Sequence, residues 1–329
     1  MRRRLYERYR LDGLVAWSEG MLRVVELAME VAPLSSTVLI GGPSGAGKEV
    51  LARAIHANSV RSARPFVAIN CAAIPDTLLE TELFGYQRGA FTGATQTKIG
   101  LLESARGGTV LLDEIAEVDP SIQAKLLHFL QSRSFCPVGS VRYRQADVRI
   151  IAATNVPLQA AVEGGSFRED LYYRLCVFPL QIPALTERRD DIVPLAIRFL
   201  ERLEGQVGKA VPGLSHEAAR FLSERPWRGN VRELQNAVER AVIVSRGNLL
   251  TSADFRVLEG ELKGEAASPG GLWRLPEDGL DLEGLVRSLT LQAVERSCYN
   301  VSRAARLLGI TRATLRYRLK KYGLGESGI

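Results

Sequence analysis

The sequence has little cysteine and little histidine. Its 329 residues include 4 Cys, which lie far apart with no CxxC pair, and 3 His, which have no metal-ligand spacing to them. This excludes a disulfide-stapled secreted domain and a zinc site, and it predicts the reduced thiols of a cytoplasmic protein. No apolar run reaches the roughly 18 residues that a membrane span needs. No apolar segment follows the basic start, as it would in a secretory signal, so we expect no membrane partner.

Acidic residues are missing from one long stretch near the end of the chain. Between Tyr299 and Gly325 there are 7 Lys or Arg and no Asp or Glu, whereas the whole chain has a net charge of only +6. The basic excess is thus concentrated in a segment suited to a DNA phosphate backbone. The overall composition, 46% hydrophobic and 24% charged, is that of a globular protein long enough for two domains.

A glycine-rich loop follows the first strong strand pattern. The aliphatic run 37–40 predicts a buried strand, and helical spacing begins at Val50. A strand, a glycine-rich loop, Gly-Lys and a helix form the context of a P-loop, in which backbone N–H groups wrap phosphates and a lysine neutralises their charge. The predicted nucleotide-binding residues of this loop are Gly42, Pro43, Ser44, Gly45, Ala46, Gly47, Lys48 and Glu49.

Glu49 departs from the general P-loop pattern. It stands where a Ser or Thr hydroxyl usually meets Mg²⁺. A carboxylate at this place either approaches the metal or its waters, or simply favours the N-terminus of the helix. The sequence leaves both interpretations open.

Two adjacent acids end a second apolar run. Residues 108–112 predict another buried strand, and Asp113 and Glu114 follow it. Together with the P-loop upstream, this pattern predicts an ATPase. Asp113 would hold Mg²⁺, directly or through water, and Glu114 would orient and polarise the attacking water. For two acids without such a loop, a solvated turn would be the alternative.

Two further predicted strands end in amide side chains. Residues 66–70 end in Asn70, and residues 147–155 end in Thr154 and Asn155. The carboxyl ends of parallel strands line the ligand crevice of such a sheet. We therefore expect both asparagines near the γ-phosphate and the two acids. The alternative is that each asparagine only caps the end of its strand.

A loop of small residues with one aromatic lies between the two nucleotide motifs, and its residues are Gly89, Ala90, Phe91, Thr92, Gly93 and Ala94. Glycines at both ends permit conformations that other residues resist. Full burial of a Phe side chain contributes about 1.5–3 kcal/mol, so an exposed Phe91 would need a partner to cover it. The alternative is a tight turn whose Phe packs into the core.

Six blocks of this sequence resemble the central domain of the bacterial enhancer-binding proteins, the AAA+ activators of sigma-54 RNA polymerase. The match runs from about Leu14 to Phe255, in family order and spacing. The Glu after the P-loop lysine is usual in this family. The blocks are GPSGAGKE (42–49), ELFGYQRGAFTGA (82–94), GGTVLLDEI (107–115), DVRIIAATN (147–155), FREDLYYRL (167–175) and WRGNVREL (227–234).

The resemblance implies roles for single residues. Lys48 corresponds to the Walker A lysine, Asp113 and Glu114 to the Walker B pair, and Asn70 to the residue that holds the catalytic glutamate aside. Thr154 and Asn155 lie in the sensor I block, and the loop 89–94 is the sigma-54 contact.

The resemblance also assigns three arginines. Arg168 and Arg174 resemble arginine fingers that enter the site of a neighbouring subunit, and Arg232 resembles the sensor II arginine of the lid. A finger from another subunit is worth about 10³–10⁵ in rate in other nucleotide hydrolases. By spacing alone, Arg168 and Arg174 would instead pair with Glu169 or Asp170 on a helix surface. The family also has ATP, Mg²⁺ and a ring, typically a hexamer.

Several residues depart from the family pattern without removing a catalytic group. Pro43 replaces a usual Glu and Ala46 a usual Thr. Arg228 replaces a frequent Pro, and Thr186 stands where an Arg is frequent. Ala16-Trp17 replaces a Gly-x pair. Pro43 stiffens its loop, and Arg228 bears on nucleotide preference or on the angle of the lid.

We expect an α/β AAA+ P-loop ATPase, with a parallel sheet sandwiched by helices in residues 1–182 and a helical lid in 183–258. Ser215 and Asn230 are the expected N-caps of two lid helices. A Gly- and Pro-rich linker covers 259–281. Residues 282–329 resemble the all-α Fis-type helix-turn-helix domain of these activators, with two short helices meeting at Gly309 and Thr311 capping the second.

The second of these helices carries the predicted DNA contacts. Residues near its start suit base edges, and the later basic residues suit phosphates, although any single Arg is otherwise a solvated helix face. The predicted DNA-binding residues are Arg303, Thr311, Arg312, Ala313, Thr314, Arg316, Arg318, Lys320 and Lys321.

The sequence thus predicts a sigma-54-dependent activator. Its tail would dimerise on double-stranded enhancer DNA, and its ATPase ring would remodel the closed promoter complex. There are two alternative functions. One is another AAA+ remodeller, which has no reason to carry GAFTGA with a Fis-type tail. The other is a DNA-binding repressor with a degenerate ATPase, which the intact catalytic set argues against. About twenty residues precede the match, where family members usually carry a regulatory domain, so we expect this chain to lack one. Control by a separate protein, control by expression level and a truncated version of a longer protein are three interpretations that the sequence leaves open.

Overall fold

The computed structural model of this chain describes residues 2–207, 213–245, 247–256, 282–297 and 301–322. The chain divides into two compact units, Met1–Lys263 and Gly264–Ile329. The predicted linker 259–281 and the end of the predicted tail, 323–329, lie outside the described residues. Within the described ranges, no helix has the length and apolar content that crossing a membrane requires.

A five-stranded parallel sheet forms the centre of the first unit, in the order β2-β5-β8-β1-β9. Its strands are β1 (Val38–Gly41), β2 (Phe66–Asn70), β5 (Thr109–Asp113), β8 (Arg149–Thr154) and β9 (Phe178–Gln181). The middle strands are aliphatic and buried on both faces, as expected for a covered parallel sheet. The register pairs Asn70 with Asp113 and Gly41 with Thr154, so their ends lie at one edge.

Short antiparallel pairs flank the sheet, and a parallel pair lies in the lid. They are β3 (Gly85–Tyr86) with β4 (Lys98–Ile99), β6 (Ser134–Phe135) with β7 (Arg144–Gln145), and β10 (Gly213–Leu214) with β11 (Leu249–Leu250). The loop 89–94 lies between β3 and β4, and a second loop, 136–143, lies between β6 and β7. The predicted sigma-54 loop and the loop 136–143 therefore both project from two-stranded ribbons and not from the central sheet.

Helices cover both faces of the sheet, which confirms the predicted sandwich. One core packs α2 and α3 against it, and the other packs α4, α6 and α8. The helices of this part are α1 (Arg2–Arg8), α2 (Glu19–Val31), α3 (Lys48–Ala57), α4 (Asp76–Phe84), α5 (Leu101–Ser104), α6 (Pro120–Ser132), α7 (Leu158–Glu163) and α8 (Glu169–Leu175).

A buried arginine ties the sheet to α2. Arg149 on β8 is 1% exposed, and its guanidinium donates to the carbonyls of Ala32, at 2.6 Å, and Val31, at 2.9 Å. These are among the last carbonyls of α2, which have no acceptor role inside the helix. Burial lowers the pKa of Arg149 to about 10. A charged side chain is therefore used inside the core to close a helix end.

The lid is helical, as predicted. Its elements are α9 (Ile192–Val207), α10 (His216–Glu224), α11 (Asn230–Val244) and α12 (252–256). They share an apolar core that includes Trp227. Ser215 caps α10 by accepting from the amide of Ala218, which confirms that prediction. The predicted cap Asn230 is wrong: Gly229 is the N-cap of α11, and Asn230 is its first residue, with its side chain used on other segments.

The second unit is the predicted three-helix arrangement. Its helices are α13 (Leu282–Arg296), α14 (Val301–Leu307) and α15 (Arg312–Lys321). Ala304, Ala305 and Leu315 are buried between them. Gly309, with φ of +65°, makes the turn that a residue with a Cβ resists. Thr311 caps α15 by accepting from the amide of Thr314, which confirms the predicted cap.

Candidate functional site

The glycine-rich loop connects β1 to α3. Gly42, Gly45 and Gly47 have φ of +148°, +73° and +103°, conformations that glycine adopts without strain. Among the described residues, the amides of Gly47, Lys48 and Glu49 have no hydrogen-bond acceptor. A helix N-terminus with unpaired N–H groups binds phosphate oxygens. The loop therefore fits a polyphosphate group.

Lys48 and Glu114 meet at the end of the sheet. Lys48 is 6% exposed, and its Nζ donates to the carbonyl of Gly42 at 3.0 Å and lies 3.6 Å from Oε1 of Glu114. The other carboxylate oxygen of Glu114 accepts from the amide of Asn155 at 3.1 Å. Glu114 has φ of 54°, a left-handed conformation rare for a residue with a side chain. A strained backbone thus aims this carboxylate at the P-loop lysine.

Asp113 is the second carboxylate at this edge. It is half-buried, and its Oδ1 accepts from the amide of Glu114 at 3.0 Å. No group of three or more His, Cys, Asp or Glu able to hold a metal occurs in the described part of the chain. Mg²⁺ commonly takes one or two carboxylates and completes its shell with substrate phosphates and water. The donor set at Asp113 therefore fits a nucleotide-borne Mg²⁺, and not a metal held by the protein alone.

Asn70 lies beside Asp113 in the sheet register. Its side-chain oxygen accepts from the amides of Ala72 and Ala73, at 2.9 and 3.2 Å, so it caps the 3₁₀ turn that follows β2. The Glu114 carboxylate has Lys48 and the Asn155 amide as its partners here. Asn70 thus lies next to Asp113 in the sheet, and its side-chain oxygen caps the following turn, as the alternative interpretation expected.

The remaining predicted nucleotide residues lie at the same edge. The hydroxyl of Thr154 bonds to the backbone of Val156, donating to its oxygen at 2.8 Å. Glu49 pairs with Arg53 one turn along α3, at 2.6 Å. A cleft of about 700 Å³ runs from Gly42 and Pro43 past Asn155 towards α8. Its size is that of an ordinary small-molecule site.

Cys71 is a buried neighbour of the two acids. Burial, together with the charges of Asp113 and Glu114, raises the pKa of its thiol to about 12. It stays protonated at neutral pH, and so it is neither a nucleophile nor a metal ligand in this state.

Arg168 and Arg174 lie at the two ends of α8. The guanidinium of Arg168 pairs with Asp170 at 2.8 Å, which lowers the pKa of that carboxyl. The amide of Arg168 donates to the side chain of Gln123 on α6 at 2.8 Å, and Gln123 is fully buried. Arg174 is exposed. In a single chain, Arg168 therefore has the surface pairing that spacing alone predicts, and Arg174 is free to meet a neighbour.

The lid reaches the P-loop directly. Nη1 of Arg232 lies 3.4 Å from the hydroxyl of Ser44, and the side chain of Asn230 donates to the Ser44 carbonyl at 3.0 Å. Arg188, 3% exposed, donates to the carbonyl of Ala46 at 2.6 Å. Arg232, the arginine predicted to sense the nucleotide, thus lies beside the loop that would hold the phosphates.

The loop 89–94 is closed at its base by backbone bonds, from the amide of Gly89 to the carbonyl of Ala94 at 2.8 Å and from Ala94 to Phe91 at 3.0 Å. Phe91 is 46% exposed, with its ring edge-on to Tyr86 at 5.0 Å. The Phe is therefore not in the core, as the tight-turn alternative required, and nearly half of its surface is exposed. A partner could bury this exposed surface.

The exposed face of α15 is basic. Of the predicted contacts, Arg312, Ala313, Arg316 and Lys320 are exposed. The hydroxyl of Thr314 lies 2.8 Å from that of Thr311, so both take part in the cap. Lys321 pairs with Glu283 at 2.5 Å, which lowers the pKa of that carboxyl and reduces the free positive charge.

Sequence reasoning missed three residues that organise this site. Asn230 joins the lid to the P-loop, Arg188 binds the Ala46 carbonyl, and Gln123 positions Arg168. Asn230 lies in the family block WRGNVREL, and asparagine tolerates a left-handed backbone, which could have indicated a special role for this residue. Gln123 gave no signal, because a polar residue on a helix is usually solvated.

Three family models match this chain. The description "Sigma-54 interaction domain" covers residues 14–181, "AAA+ ATPase lid domain" covers 186–268, and "Bacterial regulatory protein, Fis family" covers 289–322. The chain therefore belongs to the family of sigma-54-dependent transcription regulators with an AAA+ domain and a Fis-type helix-turn-helix, and both the predicted family and the predicted fold are confirmed.

Curated relatives agree with this assignment. The chain is 46% identical over 321 residues to the phenol regulator MopR of Acinetobacter guillouiae, covering 96% of this chain and 57% of MopR. It is 43% identical to XylR of Pseudomonas putida, covering 93% and 56% of the two chains, and 41% identical to AtoC of Escherichia coli, covering 95% and 68%. The chain thus spans a little over half the length of MopR and XylR.

Solved structures include a similar protein with bound nucleotide. NtrX from Brucella abortus in complex with ADP is 35% identical to this chain, with a TM-score of 0.70. The match covers 98% of this chain and 71% of the NtrX chain. RuvB of Thermotoga maritima, at 17% identity and a TM-score of 0.54, with 96% and 91% of the two chains covered, is similar in fold alone.

Proposed function

We propose that this protein is an ATP-driven transcription activator of the sigma-54 RNA polymerase holoenzyme. Hydrolysis of ATP would convert the closed promoter complex to the open one, while the tail binds upstream double-stranded DNA. The observation that carries the proposal is the pairing of Glu114 with Lys48 and the Asn155 amide at the mouth of the P-loop. It brings a base, a phosphate-binding cation and a sensor backbone into one contact network.

ATP would be bound by the loop amides and by Lys48. Because Lys48 pairs with Glu114, phosphate oxygens would compete with this carboxylate for the ammonium. Release of Glu114 leaves it able to accept the proton of an attacking water. Asp113 would hold Mg²⁺, which neutralises charge on the phosphates when bound. Glu49, paired with Arg53, supports the helix N-terminus.

Asn70, Thr154 and Asn155 would report the state of the γ-phosphate. The support is their placement: Asn70 beside Asp113 in register, and the Asn155 amide on Glu114. A shift of Glu114 towards the phosphate breaks the Asn155 contact and moves the end of β8. Asn70 would hold Glu114 aside once its bonds to the 3₁₀ turn open.

The active assembly would be a ring, typically a hexamer, with ATP between subunits. Arg168 and Arg174 on α8 would complete the site of the next copy as arginine fingers. Support comes from the exposure of Arg174 and from the fixed backbone of Arg168. Arg168 would exchange Asp170 for phosphate oxygens, which are stronger acceptors for a guanidinium. Hydrolysis then depends on assembly.

The loop 89–94 would contact sigma-54 through Phe91. Half of this side chain is exposed beside Tyr86, which favours burial against a partner. The tail would dimerise on DNA, with Arg312, Ala313, Thr314 and Arg316 near base edges and Arg318, Lys320 and Lys321 near phosphates. Arg303 on α14 and Thr311 would be further DNA contacts. The cytoplasm is the expected compartment.

The test combines ATP hydrolysis with promoter opening. Glu114→Gln should bind ATP with near-normal affinity and hydrolyse it at least about 100-fold more slowly, because a general base contributes 10²–10⁴. Phe91→Ala should keep ATP hydrolysis and lose sigma-54 capture and open-complex formation. Phosphate release measures ATP hydrolysis, and permanganate footprinting of a sigma-54 promoter measures open-complex formation.

The matched control for Phe91 is Tyr143→Ala, another exposed aromatic on the neighbouring loop 136–143. It should retain more sigma-54 capture than Phe91→Ala. Open complexes formed normally by Phe91→Ala would refute the contact, and wild-type turnover by Glu114→Gln would remove the catalytic assignment.

A further inference from the structure

The structure assigns Asn230 as a positioning residue that clasps the P-loop to the lid, so that nucleotide affinity depends on this contact. The inference rests on the proposed nucleotide binding and deepens it. The clasp is defined here as Asn230 with the amides of Val231 and Arg232 on one side, and the carbonyls of Ser44 and Gly45 on the other.

The lid helix α11 begins without a cap of its own. Its N-cap is Gly229, which has no side chain to accept from the first turn. The amides of Val231 and Arg232 donate instead to the carbonyl of Gly45, at 3.0 and 3.3 Å. The first amides of a helix lack intrahelical acceptors. A P-loop carbonyl therefore serves as the cap of a helix in another subdomain.

The Asn230 side chain completes this junction. It is 3% exposed, and its amide donates to the carbonyls of Ser44, at 3.0 Å, and Arg228, at 3.3 Å. Its oxygen accepts from the amide of Leu185 at 2.8 Å, where the chain passes from the sheet into the lid. One side chain thus binds the P-loop, the lid turn and the connection between the subdomains.

Backbone strain and close approach show that the junction is specific. Asn230 has φ of 54°, a conformation that costs free energy and persists where neighbouring contacts determine it. At Gly45, a Cβ would lie 2.5 Å from the carbonyl oxygen of Gly229, so only glycine permits this approach. The contact between the P-loop and the lid therefore explains why an asparagine stands at 230 and a glycine at 45.

The clasp orients a phosphate-binding amide. In a trans peptide the C=O and the following N–H point in opposite directions. Because the Ser44 carbonyl points to Asn230, the Gly45 amide points away from the lid, and in the described part of the chain it has no acceptor. Without the clasp, this peptide rotates freely about glycine torsions and the amide is no longer pre-organised.

Two variants separate the side chain from the backbone. Asn230→Gly keeps the left-handed φ and the Gly45 cap but removes the side-chain bonds. Asn230→Asp keeps an acceptor for Leu185 and removes the donors to Ser44 and Arg228. We expect the Kd of the full chain for fluorescent ATP and ADP analogues to rise about tenfold in both, since both lose the two hydrogen bonds that Asn230 donates to Ser44 and Arg228.

The matched control is Asn236→Asp, an exposed asparagine further along α11. It adds the same charge to the same helix without touching the P-loop, and its Kd should equal that of the wild type. Thermal unfolding of each variant verifies that it is folded.

Kinetics distinguish positioning from a general structural defect. A partly unfolded population lowers kcat and leaves KM unchanged, because the folded fraction binds normally. The clasp instead predicts a KM for ATP about tenfold higher with kcat changed less than about threefold, as for lost uniform binding. The opposite split, with kcat reduced and KM unchanged, would overturn the proposal.

Hydrogen exchange on the wild type tests the clasp without any variant. The Val231 and Arg232 amides should exchange slowly without nucleotide and change on addition of ATP. Fast exchange in both states, or a Kd in Asn230→Gly and Asn230→Asp equal to the wild type, refutes the clasp. A wild-type chain that binds neither analogue refutes nucleotide binding itself, which is a different outcome.

Discussion

Glu114 is a residue whose type was predictable from the sequence but whose backbone was not. Two acids after an apolar run predicted the carboxylate and its chemistry. The left-handed φ of 54° comes from the turn that follows β5, and it aims the side chain at Lys48 and Asn155. Such a conformation depends on neighbouring segments, which local sequence does not describe.

His56 is a second residue that only packing explains. It is 7% exposed on α3, and its Nδ1 lies 3.0 Å from the hydroxyl of Thr109 on β5. Burial lowers its pKa below the ordinary 6.5, and the charges of Arg149 and Arg53 act in the same direction, against a backbone hydrogen bond to Arg64 that raises it. The fold therefore favours the neutral ring.

The lowered pKa of His56 predicts acid sensitivity. Below pH 6.5 the unfolded chain binds the proton more readily than the folded one, so the stabilisation is fully present above that pH and is lost as pH falls towards the folded pKa. The melting temperature should fall between pH 7 and pH 5, and less steeply in His56→Gln.

The control for this pH profile is His216→Gln, at the exposed start of α10. Its profile between pH 7 and pH 5 should match that of the wild type. An unchanged profile in His56→Gln would contradict the role assigned to the buried ring.

At the scale of elements, the loop 89–94 depends on the loop 136–143. The amide of Gln87 donates to the carbonyl of Val138 at 3.0 Å, and the side chain of Gln87 donates to Ser140 at 3.1 Å. Gly139, with φ of +75°, approaches Ala90 so closely that a Cβ would lie 2.6 Å from that methyl group. The second loop therefore fixes the base of the first.

A methyl group at Gly139 should displace the loop that carries Phe91. Gly139→Ala has both an unfavourable φ and a clash with Ala90, a strain of about 1–3 kcal/mol. We expect at least about fivefold weaker capture of sigma-54 with ATP hydrolysis within about twofold of the wild type. Pull-down with a trapped nucleotide and phosphate release measure the two.

Gly165→Ala is the matched control for backbone strain. Gly165 has φ of +73°, but nothing lies within 4 Å of a Cβ there. This variant should lose stability without losing sigma-54 capture. Equal loss in both variants would mean that strain, and not contact between the loops, is responsible.

Predictability also differed between elements. The apolar runs predicted β2 to the residue and β1, β5 and β8 to within two residues, whereas the strand β9 was not predicted. The central strands β5 and β8 are almost wholly buried, so their sequences are continuous apolar runs. The start of α11 was assigned wrongly. An N-cap prediction assumes that the first turn is capped locally, whereas here the acceptor is the Gly45 carbonyl.

At the scale of the whole molecule, the proposed fingers predict complementation between subunits. Arg174→Ala and Glu114→Gln should each have little activity. Mixed in equal amounts, the Glu114→Gln chain donates an intact arginine to the intact site of an Arg174→Ala neighbour. Random head-to-tail rings should then recover about a quarter of wild-type turnover.

The mixture is compared with each variant alone at the same total concentration, with ring assembly followed by light scattering. Recovery that requires assembly supports an arginine acting in trans. If mixing restores no turnover although mixed rings form, Arg174 does not act on the site of a neighbour.

The sequence by itself determined the class of this protein, because phosphate binding, water activation and a basic helix-turn-helix depend on residue types at short spacings. The tertiary structure alone decided how these parts are joined. The left-handed Glu114, the arginine inside the core and the lid helix capped by a P-loop carbonyl all link segments 41 to 186 positions apart. Contacts between residues so far apart in the sequence depend on packing and backbone strain, which a local sequence pattern does not predict.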